Sequence, residues 1–245
     1  MNPSLFIRRI SKFFLFLRFS RKIFPYVLQG CYPSLEHYEV LKGFEFSTIV
    51  DCGSNFGQFI AFSRIFYPNA TIFAFEPLPY CYNKINNIFS LDSFVTVSLS
   101  ALGDAEGSST FFESFNSGSS SILPIEDMHI NCFPGTQLKE ESIVCVTTLD
   151  SYFSNGSRLV SPSLLKLDVQ GYELAVLSGC TQVLNSFDFI ICEITFKTFY
   201  SGQCSPSSLI SFLLDHGFTL VSIYDPIYVN GFGYVQVDTL WKRGP

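Results

Sequence analysis

The sequence predicts a three-layer α/β domain with a mainly parallel sheet, and three observations carry that expectation. Apolar, β-branched runs alternate with segments of helical period along most of the chain. VDCGSNFGQF, residues 50 to 59, joins a strand ending in an acid to a glycine turn that opens a helix. TIFAFEP, residues 71 to 77, ends a second strand in another acid, Glu76, twenty-five positions beyond Asp51.

The elements follow in order. Ser47 to Val50 is a short buried strand, and Phe56, Phe59, Ile60, Ser63 and Phe66 recur at helical spacing after it. Gly53 and Gly57 allow positive φ and close backbone approach, so the turn can press amides and a helix N-terminus against a polar ligand. Pro68-Asn69 marks the turn into a second strand at Ala70 to Phe75. Pro79 opens a helix to about Phe89, and Phe94 to Ala101 alternates as a third strand. Residues 103 to 141 are rich in Gly, Ser and Glu, with one strand at Ser109 to Glu113, and read as a lid or binding insertion. A strand resumes at Ile143 to Thr147, and Asn155 to Pro162 is a turn. Leu164 to Val169 is the fourth core strand and Tyr172 to Leu184 its helix, while Phe187 to Thr195 is the fifth strand. Ser205 and Pro206 start the last helix, Gly217 stops it, and Phe218 to Tyr224 and Gly233 to Trp241 are the final strands. The organisation expected is one catalytic domain over 41 to 245, preceded by a basic, aromatic extension over 1 to 40.

Charge is distributed unevenly. The net charge is −6, yet residues 1 to 35 hold six basic residues and no acid. The remaining residues carry nine basic against twenty-one acidic side chains, a charge of −12 that repels phosphate and excludes nucleic acid as a partner of the main body. In the basic segment the longest apolar run, Phe13 to Leu17, falls far short of the roughly 18 residues that cross a bilayer. Lys12 and Arg18 bracket that run and no small-residue cleavage site follows, which speaks against a signal peptide; an organelle-type leader is a further option, permitted by the missing acids. Two readings stay open for residues 1 to 30: an interfacial helix making peripheral membrane contact, and a helix that packs its phenylalanines on the domain.

Eight cysteines stand at least twelve positions apart, with no CxxC, and the three histidines are scattered. The pattern implies reduced thiols, a cytoplasmic location that extends to the periphery of a membrane, and no metal site. Cys52, Cys145 and Cys192 in apolar strand runs and Cys180 on a helix are expected to serve as small core residues.

Chemistry gathers at strand ends. Asp51 at the mouth of the glycine turn disfavours phosphate and favours an ammonium or a hydroxyl, which points to S-adenosylmethionine. Glu76 is placed to accept hydrogen bonds from both ribose hydroxyls. Nicotinamide dinucleotide folds use the same acid, so an NAD(P)-dependent oxidoreductase is an alternative, although GSNFGQ lacks the third glycine of GxGxxG. The blander reading of both acids is as strand-end carboxylates facing solvent. A non-catalytic membrane-associated adaptor on the same fold is the remaining rival.

VDCGSNFGQF, AFEPLP at 74 to 79, LSALGD at 99 to 104, VTTLDSYF at 146 to 153, LLKLDVQGYELAVLSGC at 164 to 180 and IICEITF at 190 to 196 together resemble the FkbM-type S-adenosylmethionine-dependent methyltransferases. The likeness extends over about residues 45 to 243. It implies a Rossmann-like class I methyltransferase fold with a seven-stranded, mainly parallel sheet, and S-adenosyl-L-methionine as cofactor. It implies that Asp51, Gly53, Asn55 and Gly57, with Cys52 in the same turn, bind the donor's amino-acid end, that Glu76 binds its ribose, and that Ala101 and Leu102 border its adenine. Asp168, ending the fourth strand beside the first, is the first candidate for catalysis, and Glu193, ending the fifth, lines the acceptor pocket. The activity implied is O-methylation of a hydroxyl on a sugar, glycolipid or related natural product, so the partner is a small-molecule, glycan or lipid acceptor. Lys166 is expected to be an edge residue or a satisfied ion-pair partner, Glu173 a helix N-terminal acid and His216 a helix C-terminal cation. Gln170 stands where relatives can carry glutamate.

Overall fold

The computed structural model describes residues 3–244, with side chains from Phe14 onward. In chain order the elements are α1 (Pro3–Leu28), α2 (Tyr38–Leu41), β1 (Thr48–Cys52), α3 (Gln58–Phe66), β2 (Thr71–Phe75), α4 (Pro79–Phe89), β3 (Val95–Ser98), β4 (Ala101–Leu102), β5 (Gly107–Ser114), α5 (Asp127–Cys132) and β6 (Leu138–Thr147). The second half adds α6 (Leu149–Ser154), β7 (Ser163–Leu167), α7 (Glu173–Ser178), β8 (Phe189–Thr195), α8 (Pro206–Asp215), β9 (Phe218–Val229) and β10 (Gly233–Arg243).

Seven strands form one sheet in the order β3-β2-β1-β7-β8-β10-β9. The pairs from β3 to β8 are parallel, and β10 runs antiparallel to both its neighbours. This is the class I methyltransferase architecture the sequence implied. The order reverses between β1 and β7, so a crevice opens at the carboxyl ends of those two strands, where open α/β sheets bind ligands.

Strand alternation distributes the core between two faces. Ile49, Leu164, Ile191 and Leu240 point toward α3 and join Phe59, Ile60 and Phe62 in one buried cluster. Val50, Leu165, Ile190 and Trp241 point the other way, against Leu177 of α7 and Leu209 and Leu213 of α8. Asp51 and Lys166 stand opposite one another in the β1–β7 register, on the same face as Ile49 and Leu164. Two charged residues are thereby built into the α3 side of the central sheet.

The insertion is more ordered than its composition suggests. The strand expected at Ser109 to Glu113 extends over all of β5, and the one expected at Ile143 to Thr147 starts earlier, at Leu138, because each supplies the other's ladder. β6 also pairs with β4, giving a three-stranded sheet of order β4-β6-β5. The third strand expected to reach Ala101 stops at Ser98, since Ala101 and Leu102 leave the main sheet to join this smaller one.

Two further expectations are corrected. The helix expected over Tyr172 to Leu184 ends at Ser178: Gly179 lies so close to Gly103 that a Cβ on it would sit 2.0 Å from the Gly103 carbonyl oxygen. Cys180 is buried as expected, in the turn beyond that helix, whereas Cys145 is exposed because β6 shows that side of its ladder to solvent.

α1 bends at Phe19, whose backbone leaves the helical region. Its inward residues Leu15 and Ile23 belong to the α3-side core, and the Phe19 ring packs edge-on against Phe66 at 4.9 Å. Among the described residues no helix is long and apolar enough to cross a membrane.

Candidate active site

A cavity of about 570 Å³ opens at the carboxyl ends of β1, β2 and β7. Its floor is the glycine turn after β1. Gly53 has φ +81°, and a Cβ there would lie 2.1 Å from the Asp168 carbonyl oxygen. The turn therefore lies directly against the backbone after β7, a packing that excludes every side chain at position 53. Gly53 and Ser54 both donate their N–H groups to the Phe75 carbonyl, tying the turn to the end of β2.

Glu76, just beyond β2, is buried and held by two backbone donors. The Asn55 N–H reaches its Oε2 at 2.7 Å and the Leu78 N–H its Oε1 at 2.9 Å. Burial pushes its carboxyl pKa up to about 8, against the opposing pull of those two bonds and with a further push from Asp51. Each oxygen keeps acceptor capacity toward the cavity that Glu76 lines. Asn55, itself at φ +48°, also accepts a 2.8 Å hydrogen bond from Ser117 of the insertion.

Asp51 is fully buried. Its Oδ1 meets the Lys166 ammonium at 3.2 Å, and its Oδ2 has no hydrogen-bond partner among the described residues. Lys166 also reaches Asp168 Oδ2 at 3.3 Å and stands over the Phe59 ring at 5.4 Å. Burial works against the charge on Lys166, but the carboxylates of Asp51 and Asp168 more than offset it and hold the ammonium above the ordinary lysine range.

Asp168 is gripped on its other oxygen as well, where the Gln170 side-chain amide donates to Oδ1 at 2.7 Å. The Tyr200 hydroxyl lies 2.8 Å from Gln170 Oε1, 3.0 Å from the Ser119 carbonyl and 3.3 Å from His129 Nε2. His129 Nδ1 lies 2.8 Å from Thr136 Oγ1, whose hydroxyl donates to the Phe133 carbonyl. The network assigns the proton to Nδ1. Burial pushes the His129 pKa down to about 4, so this imidazole is neutral around neutral pH. A polar chain thus runs from Asp168 through Gln170 and Tyr200 into the insertion.

Glu193, on β8, faces the same cavity. Gln236 donates to its Oε2 and Thr195 lies 3.4 Å from its Oε1. Burial, then the negative fields of Asp168, Asp238 and Glu173, push its carboxyl well above the ordinary glutamate range. Glu173, the first residue of α7, accepts from the backbone N–H groups of Val169 and Gly171 in the turn that precedes the helix.

Of the residues expected at the site, Gly53, Asn55, Glu76, Ala101, Leu102, Asp168 and Glu193 wall the cavity. Asp51 stands behind that wall, joined to it by Lys166. Cys52 and Gly57 do not reach it. The Cys52 side chain lies in the core on the opposite face of the sheet, and only its carbonyl takes part, accepting from the Asp168 N–H. Gly57 is the left-handed N-cap of α3 and packs against Phe89 of α4.

Of the two expectations for Lys166, the satisfied ion-pair partner holds and the edge residue does not, since β7 lies in the middle of the sheet; the pairing spans both candidate acids. The signal was a lysine inside the apolar run LLKLDV, because a cation buried there requires a counter-charge on a neighbouring strand. The wall contributed by Ser117 to Ile122 comes from the segment expected to be a lid or binding insertion, whereas no motif marks Tyr32 to His37, Asp225 or Asp238.

The model of the FkbM methyltransferase domain matches residues 51–220. The chain belongs to the FkbM methyltransferase family. The FkbM domain's methyl donor is S-adenosylmethionine. Methyltransferase 1 of Beauveria bassiana is 29% identical over 157 residues, covering 58% of this chain and 61% of the relative. The hexuronic acid methyltransferase AglP of Haloferax volcanii is 29% identical over 147 residues, 59% of this chain and 54% of the relative. The chain thus spans little more than half the length of the curated relatives it matches. Among solved structures, Aeropyrum pernix fibrillarin with natively bound S-adenosyl-L-methionine matches at 13% identity and a TM-score of 0.44, over 82% of this chain and 71% of that one.

Proposed function

We propose that the chain transfers a methyl group from S-adenosylmethionine to a hydroxyl oxygen of a sugar, glycolipid or related natural product. The observation that carries this reading is a single cavity lined by Gly53 and Glu76 together with Asp168 and Glu193. The Haloferax volcanii relative is a hexuronic acid methyltransferase, which supports a sugar acceptor.

The residues present fit the donor. The Asp51 carboxylate, with its unpartnered Oδ2, sets a buried negative charge behind the glycine turn that suits an ammonium at this end of the cavity, and Gly53 holds that turn tight against the backbone after β7. Glu76 retains lone pairs for two vicinal hydroxyls, and Ala101 and Leu102 offer an apolar border for a flat ring. When bound, the donor supplies a methyl group on a positively charged sulfur.

The chain's own work is then alignment and proton acceptance. Asp168, pinned by Lys166 and Gln170, accepts a hydrogen bond from the acceptor hydroxyl and fixes its direction. Glu193 takes the proton. An ordinary carboxylate, with a pKa near about 4, is a weak base for an alcohol, and the upward push on Glu193 narrows that gap. The carboxylates on the acceptor side of the wall suit a polyhydroxylated ligand, each hydroxyl finding an acceptor, and the −12 charge of the main body disfavours a phosphate-rich one such as nucleic acid. Family membership removes the nicotinamide reading.

The test is transfer of radiolabelled methyl from S-adenosylmethionine to a panel of glycosides, glycolipids and polyketide alcohols. Calorimetric titration with S-adenosylhomocysteine and NADH runs beside it. Binding of the adenosyl ligand, turnover on a hydroxylated acceptor, and loss of turnover but not of binding in Asp168→Asn and Glu193→Gln are expected. Label on nitrogen or carbon, or turnover that survives both substitutions, overturns the proposal.

A further inference from the structure

We propose that α1 docks this chain on an anionic lipid surface, with its outer face on the bilayer and the mouth of the cavity beside it. The first observation is a second apolar face on one helix. Leu15 and Ile23 turn inward and are buried, while Leu17 and Phe24 are 52% exposed and Leu28 is 71% exposed. Phe24 and Leu28, four positions apart, share one side of the outer half of the helix. Arg18 and Arg21 are exposed beside them. A helix that presents apolar side chains and arginines outward, after its inner face is already packed, has the make-up of an interfacial helix.

The second observation is charge. Residues 1 to 35 hold six cations and no acid, while the rest of the chain carries −12. This segment attracts anionic headgroups that the remainder of the molecule repels, and the difference in sign orients the chain as well as holding it. The same charge argues against a second copy as the occupant, because an isologous dimer on this face would set one basic helix against another. Nucleic acid would satisfy the arginines but leave Leu17, Phe24 and Leu28 without a use.

The third observation is position. The chain leaving α1 becomes cavity wall: Tyr32, Pro33, Ser34, Leu35, Glu36 and His37 all line it. Tyr32 is also 67% exposed, so one residue belongs both to the outer surface and to the cavity. Docking through α1 sets this mouth at the level of the headgroups, where an acceptor carried on a lipid can enter without leaving the bilayer.

The experiment is flotation of the full chain with phosphatidylcholine–phosphatidylserine vesicles and with phosphatidylcholine vesicles. Two double variants, Arg18→Glu/Arg21→Glu and Phe24→Glu/Leu28→Glu, are compared with it after melting curves show that each folds. The chain is expected to float with the anionic vesicles, at least about tenfold less with the neutral ones, and about tenfold less in each double variant. Binding is expected to weaken as salt rises toward 1 M, where the screening length falls to about 3 Å. Failure to float, equal flotation with both vesicles, or undiminished flotation of the variants overturns the proposal. So does a dimer in light scattering that Phe24→Glu/Leu28→Glu converts to a monomer, which would make this face an interface between copies. Retention on a single-stranded RNA probe that vesicles fail to displace would assign the face to nucleic acid and overturn it too. None of these readouts depends on methyl transfer.

Discussion

Lys166 Nζ lies 3.2 Å from Asp51 Oδ1 at the centre of the sheet, where the parallel register of β1 and β7 sets the two residues side by side. The ammonium extends the pairing to Asp168, so one buried cation links the acid behind the glycine turn to the acid on the cavity wall.

Lys166→Met leaves the Asp51 carboxylate buried without its counter-charge and is expected to cost about 3 to 5 kcal/mol. Urea unfolding measures the loss. The double variant Asp51→Asn/Lys166→Met is expected to recover much of it, since the charge then left without its partner, Asp168, is part-exposed and not fully buried; a double variant as unstable as the single one would show that the pair is not what holds this region.

Alanine at 53 would place a methyl 2.1 Å from a backbone oxygen, whereas alanine at 57 meets Phe89 at 3.1 Å. Both positions also have left-handed backbone, which costs a non-glycine residue about 1 to 2 kcal/mol. Gly57→Ala is therefore expected to lose roughly that amount, and Gly53→Ala considerably more, together with donor binding. Parallel urea curves and calorimetry on the two variants separate these outcomes.

Glu76 gives a pH dependence whose sign is set by burial. Its folded pKa of about 8 exceeds the ordinary 4.5, so between those values the native chain keeps a proton that the unfolded chain has released. The free chain is expected to lose stability as pH rises through this window, with Glu173, pushed up to about 7 by its own burial, adding in the same direction. Glu76→Gln should flatten the profile. Binding of adenosine, which has the ribose diol but no amine to titrate, should strengthen over the same rise in pH, because the ionised carboxylate accepts both hydroxyls. A pH-independent adenosine affinity in the native chain would contradict this role for Glu76.

Tyr200→Phe removes the hydroxyl that steadies Gln170 and, through it, Asp168. The expected loss of stability is about 1 kcal/mol. Steady-state kinetics are expected to show a several-fold fall in kcat with the donor KM unchanged, because the relay touches the acceptor side of the cavity only. A rise in donor KM alone would place the relay elsewhere in the mechanism.

Asp51, Gly53, Glu76 and Asp168 stand out in the sequence because each ends a strand or opens a turn, and such positions carry strong local rules; the last three line the cavity and Asp51 lies behind it. Cys52 and Gly57 share the glycine turn, yet alternation turns the Cys52 thiol to the other face and Gly57 is taken up by the packing of α3 on α4. Lys166 was visible as a lysine in an apolar run but gained its meaning only from the register that sets it beside Asp51.

By itself the sequence determined the alternation of strands and helices, the cofactor turn with its two acids, and the opposed charges of the first 35 residues and the rest, since each depends on neighbours along the chain. Tertiary structure decided which side chains share the cavity. The joining of Tyr32 to His37, the Ser117 to Ile122 segment and Asp238 around one opening depends on strand order, crossover and the pairing of β5 with β6. Contacts between residues far apart in sequence leave no periodic mark, because nothing local in the chain has to change for them to form.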